Sequence, residues 1–97
     1  PLDLSNQGLT DIRPLKGFKT IETLILRGNS IRDISPLKEM TGLKSLDLTI
    51  NPVDDVSLLS SLEKLTVLRV SGTDLLNLES LANFQCHRQN YHLCRKV

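Results

Sequence analysis

A chain of 97 residues has room for one domain and buries a low fraction of its surface. Its 12 Lys+Arg against 11 Asp+Glu leave the charge nearly balanced, which argues against general affinity for nucleic acid or an acidic membrane. Phe18, Phe84 and Tyr91 are too few to make a base-stacking platform, no run approaches the roughly 18 apolar residues of a membrane span, and no signal peptide is visible.

Taken in order, the first unit, Pro1–Thr23, alternates at Leu2 and Leu4 and then steps by three through Leu9, Ile12, Leu15, Phe18 and Ile21. Alternation followed by triplet steps predicts a short strand and a tight, partly 3₁₀-like return. The unit then repeats at 24–45, 46–67 and 68–86. The strand slots read Leu2, Leu24, Leu46, Leu68 and Leu4, Leu26, Leu48, Val70. The turn and return slots read Leu9, Ile31, Val53, Leu75; Ile12, Ile34, Val56, Leu78; Leu15, Leu37, Leu59, Leu81; and Phe18, Met40, Leu62, Phe84. The last slot holds Ile21, Leu43 and Leu65, then fails at His87. One such unit cannot bury its own apolar edge, so a fixed period of this kind predicts a stacked solenoid.

Between strand and return stands a polar slot: Gln7, Asn29, Asn51, Thr73. A stacked asparagine column bonds backbone groups that no regular ladder reaches. Gln7 is expected to loosen that column, and the Thr73 hydroxyl to replace part of it, with Asp74 beside it. The return segments open on Asp11-Ile12-Arg13-Pro14, Asp33-Ile34-Ser35-Pro36 and Asp55-Val56-Ser57-Leu58. Ser35 and Ser57 read as N-caps and Pro14 as a first helical position, while the carboxylate column Asp11, Asp33, Asp55, closed by Asn77, reads as capping charge rather than a cation site. Gly28, Gly42 and Gly72 read as turn positions with positive φ. The tail from 87 to 97 is an irregular closing segment, in which a slip of one residue puts Tyr91 and Leu93 into the strand slots, with Arg88, Arg95 and Lys96 keeping the edge soluble.

The string L-x-x-L-x-L-x-x-N, present as Ile21-Leu24-Leu26-Asn29 and Leu43-Leu46-Leu48-Asn51, is the leucine-rich repeat signature. With D-I-S-P-L at Asp33–Leu37, the unit resembles the short repeat class of bacterial internalins and is similar to the eukaryotic phosphatase-1 regulator of that repeat length. The resemblance implies an α/β solenoid, a right-handed superhelix with short parallel strands on a concave face and 3₁₀ or short helical turns on the convex face. It implies a non-catalytic module that recognises a protein partner through the concave strands, in a bacterial surface or secreted factor. The alternative is an intracellular regulatory, docking or capping segment of a larger enzyme or effector. Fold alone does not fix function.

Alternation turns Ile25, Arg27, Asp47, Thr49, Val67, Arg69 and Ser71 outward, and these are the expected partner-binding residues. Arg27 and Arg69 are the expected anchors among apolar spots. The alternative is a solvated face whose charges pair across strands, Arg27 with Asp47 and Asp47 with Arg69. Pro1-Leu2 begins on a strand with nothing ahead of it, so the expectation is a piece of a longer protein, or else a second chain that covers this edge.

Cys86, His87, His92 and Cys94 bring four potential zinc ligands together, but adjacent Cys86 and His87 cannot readily share an ion. Two unpaired thiols in a reducing compartment are expected, with a Cys86–Cys94 disulfide permitted by the spacing. No cofactor is implied. No Ser, Cys or His stands in a G-x-S-x-G frame and no phosphate-cradling glycine loop is present, so catalysis is not expected.

Overall fold

The computed structural model describes residues 1–73, 81, 83–87 and 93–97. Leu75, Leu78, Asp74, Asn77, Arg88, Tyr91 and His92 lie outside the described residues. Short strands β1 (Leu2–Asp3), β2 (Thr23–Ile25), β3 (Ser45–Asp47) and β4 (Val67–Arg69) pair in parallel. Leu2, Leu24, Leu46 and Leu68 stand in one register row, as the period requires. The ladder continues past the strands, with the N–H groups of Asn6, Gly28 and Ile50 donating to the carbonyls of Arg27, Thr49 and Ser71 at 2.8–2.9 Å. Among the described residues each return segment is a 3₁₀ turn: Arg13–Leu15, Ser35–Glu39 and Ser57–Ser61.

The core is the column of equivalent apolar residues. Leu24, Leu26, Ile31, Leu37, Met40 and Leu43, with their counterparts one unit on, are fully or almost fully buried. Burying a leucine or isoleucine of this kind contributes about 2 kcal/mol. In the first unit Leu2, Leu4, Leu9 and Ile21 are only partly covered and Phe18, expected in the core row, is 49% exposed.

The asparagine slot works as a staple between units. The Asn29 amide donates to the carbonyls of Leu26 and Leu4 at 2.8 and 3.0 Å and accepts from the N–H groups of Gln7 and Leu9. Asn51 repeats this one unit on, donating to Leu26 and Leu48 and accepting from Ile31. Thr73 replaces only one of these bonds, donating to its own unit's Val70 carbonyl at 2.7 Å. Gln7 turns its amide to the Ser5 carbonyl.

Two local expectations are corrected. The caps are aspartates, not serines: Asp33 and Asp55 accept the N–H of Ser35 and Ser57 at 2.9 Å, because the 3₁₀ turn already includes the serine. Asp11 does the same for Arg13 and adds an ion pair. Gly28 and Gly72 have positive φ, but Gly42 does not. At Gly42 the reason is room, since any Cβ there would overlap the Lys19 carbonyl oxygen of the unit before.

The largest departure is at the C-terminus. Instead of a single closing strand, β5 (Phe84–His87) and β6 (Leu93–Lys96) form an antiparallel hairpin, and β6 pairs antiparallel with β4. The sheet order is therefore β1-β2-β3-β4-β6-β5. Cys94 takes the buried position opposite Leu68, and Leu93, expected in a core strand slot, instead stands opposite Arg69 on the outer face. Cys86 stands directly opposite Cys94 with Cα atoms 4.0 Å apart, and the two form a disulfide. Free thiols were expected because the spacing permits a bond without requiring one; the hairpin register sets Cys86 directly opposite Cys94.

The aspartate caps give a pH dependence with a definite sign. Arg13 beside Asp11, and the Ser35 and Ser57 N–H groups on Asp33 and Asp55, hold the three carboxyls below the ordinary aspartate value of 3.8. The folded chain then binds fewer protons than the unfolded one, so this stabilisation is complete above pH about 4 and is lost as pH falls through the folded values. The carboxyls are exposed, so the effect is small. In thermal melts, the triple variant D11N/D33N/D55N, whose amide oxygens still accept the N–H groups, is expected to show a flatter midpoint-against-pH slope below pH about 4 than the parent. Identical slopes would remove the caps from the acid response.

Candidate functional site

The face of the sheet turned away from the core is built by the residues that alternate with the buried leucines. Two rows follow from the register, Thr23, Ser45, Val67 and Asp3, Ile25, Asp47, Arg69. The extended ladder adds a third row, Ser5, Arg27, Thr49 and Ser71. Ile25, Asp47, Val67 and Ser71 are half-buried, Arg27 and Arg69 are exposed, and Thr49 is buried beneath its neighbours.

Arg27, Thr49, Ile50, Arg69 and Ser71 line a depression of about 340 Å³. It brings together four of the seven expected contact residues; Ile25, Asp47 and Val67 lie on the same face outside it. The cross-strand charge pairs Arg27–Asp47 and Asp47–Arg69 do not form. The ion pairs among the described residues are Arg13–Asp11, Arg32–Asp54 and Lys44–Glu22. Asp47 accepts the N–H of Thr49 at 2.9 Å instead, as Asp3 accepts that of Ser5.

Ile50 stands just past the end of β3, and its geometry was not foreseen. It occupies the row Asn6, Gly28, Ile50, Gly72, in which every residue has a left-handed backbone, φ +56 to +71. Glycine and asparagine take that conformation readily; for a β-branched residue it costs on the order of 1–3 kcal/mol. The side chain leans over the next unit's glycine, where a Cβ on Gly72 would stand 3.2 Å from Ile50 Cγ1, yet Ile50 remains 57% exposed. The row itself carried the signal, since three residues tolerant of positive φ flank the one that is not.

The hairpin also adds residues that repeat reasoning did not reach. Arg95 pairs with Val67, Leu93 with Arg69, Gln85 with Arg95 and His87 with Leu93, so all four join the outer face. The sulfurs of Cys86 and Cys94 are bonded to each other and do not serve as metal ligands. Among the described residues no group of His, Cys, Asp and Glu is arranged to hold a metal ion, and no helix is long and apolar enough to cross a membrane.

A family model for leucine rich repeats (2 copies) matches residues 19–60. No curated protein matches the sequence. Among solved structures, an internalin (inlF) from Listeria monocytogenes superposes with a TM-score of 0.73 at 28% identity over 78% of this chain and 22% of that one. An internalin C2 (inlC2) from the same species gives 0.71 at 30% identity over 84% of this chain and 35% of that one. The chain thus spans about a fifth to a third of the length of these two proteins. Register, polar staple and 3₁₀ returns agree with both comparisons: the chain carries leucine-rich repeats, and these repeats are internalin-like.

Proposed function

We propose that this chain is a non-catalytic module that binds a protein partner through the outer strand face, with Ile25, Arg27, Asp47, Thr49, Val67, Arg69 and Ser71 in or around the contact. The observation that carries the reading is the depression between Arg27 and Arg69, where two guanidiniums without an ion pair among the described residues flank an exposed isoleucine. Arginine beside apolar surface is what energetically dominant interface residues look like. Leucine-rich repeats are in general a binding fold, which supports the same reading.

A bacterial surface or secreted setting is the second part of the proposal. The likeness to internalins supports it, and so does the Cys86–Cys94 disulfide, because such bonds persist in oxidising compartments. The disulfide removes the argument that the two cysteines made for a cytosol.

The test compares two charge reversals of equal size. R27E/R69E alters the strand face; R13E/R32E alters the return side. Capture of a partner from lysate by the immobilised chain is expected to be lost with the first and kept with the second. Capture that survives R27E/R69E and fails with R13E/R32E, or with edits near Pro1 or Tyr91, would place the contact elsewhere.

A further inference from the structure

The register of β6 carries the outer face past the fourth unit and makes it more cationic. Cross-strand partners share a face, so Leu93 continues the row of Ile25, Asp47 and Arg69, and Arg95 continues that of Val67. Arg27, Arg69 and Arg95 take part in no ion pair among the described residues. The carboxylates facing them, Asp3 and Asp47, are each turned to their own backbone by a hydrogen bond of 2.9 Å. The aspartates at the starts of the returns, Asp11, Asp33 and Asp55, are held by caps and sit outside both sheet rows. Within the basic face, Ile50 keeps a left-handed backbone and an exposed apolar side chain. Neither its conformation nor its burial in the free chain favours isoleucine there; a covering surface would.

We infer that the partner presents a polypeptide segment in which carboxylate side chains flank an apolar one, the carboxylates meeting Arg27 and Arg69 and the apolar group closing over Ile50, with Arg95 extending the contact. This rests on the strand-face reading and adds the chemistry of what binds there. Guanidinium forks match carboxylates in two-point geometry, and unlike charges across an interface favour one register over others. A bare polyanion would use the arginines and leave Ile50 uncovered.

The probe is a library of random twelve-residue peptides displayed on phage, selected on the immobilised, oxidised full chain. Expected are binders with two or more Asp or Glu around a Leu, Ile or Phe, whose affinity falls about tenfold or more in R27E/R69E and measurably in R95E. I50N is expected to weaken them similarly while its urea midpoint holds or rises, because asparagine accepts the left-handed backbone. If that midpoint falls, I50G replaces it in the comparison. An empty selection, or basic or uncharged binders, overturns the inference, and the strand-face reading still stands if R27E/R69E blocks lysate capture. Acidic binders indifferent to R27E/R69E but lost in R13E/R32E sink both. Heparin that displaces the peptides while I50N binds them normally reduces the face to a polyanion patch and also overturns the inference.

Discussion

Asn51→Ala is expected to lower the free energy of unfolding by about 3 kcal/mol, measured by urea denaturation at neutral pH. Asn51 is 2% exposed, and its amide donates to the Leu26 and Leu48 carbonyls at 2.8 and 3.1 Å while its oxygen accepts the Ile31 N–H at 3.1 Å. Alanine strands those groups where water reaches them poorly, and a buried unsatisfied group costs about 1–3 kcal/mol. Water entering the vacated slot offsets part of the sum. Against a total of about 5–15 kcal/mol for a small domain, the loss is a large fraction. Thr73→Ala provides the internal scale, because it removes a single bond to the same unit's Val70 and should cost about 1 kcal/mol. Asn51→Asp separates shape from bonding: the carboxylate can still accept from Ile31 but cannot donate to the two carbonyls, so it should be no better than alanine. A cost below about 1 kcal/mol for Asn51→Ala would mean that apolar stacking alone sets the spacing of the units.

How much of this was legible in the sequence depends on whether the information was local. The rows Leu24, Leu46, Leu68 and Ile31, Val53 could be read because a solenoid maps sequence distance directly onto spatial distance, one unit per strand spacing. The staple was legible for the same reason, since Asn29 and Asn51 act on the unit before their own. The C-terminal hairpin was not, because residues after Phe84 carry no period and antiparallel pairing depends on a reversal the repeat cannot encode. Leu93 and Arg95 therefore went unrecognised as surface residues of the strand face. Gly42 shows a different limit: glycine fits positive φ and close approach equally well, and only coordinates show the Lys19 carbonyl behind it. Phe18 shows a third, because a place in a core row does not by itself fix how far a residue is buried.

Breaking the Cys86–Cys94 bond is the second change with a large expected effect. Closing a loop with a sequence separation of 8 removes unfolded-state freedom worth about 2.5 kcal/mol in the chain-entropy picture. The consequence should be local rather than uniform. The hairpin is what pairs the outer edge of β4, through Leu68 opposite Cys94 and Arg69 opposite Leu93, and each unit of a solenoid contacts only its neighbours. Reduction should thus raise amide exchange first at Val67–Arg69, and later or not at all at Thr23–Ile25. C86S/C94S should match the reduced parent closely, with a small extra loss from the hydroxyl that replaces the fully buried Cys94 sulfur. Because Arg95 and Leu93 ride on the same hairpin, reduction should also weaken any ligand of the strand face that R95E weakens. Unchanged exchange along β4 after reduction, with the urea midpoint held, would show that strand pairing alone closes the stack and that the disulfide adds nothing to it.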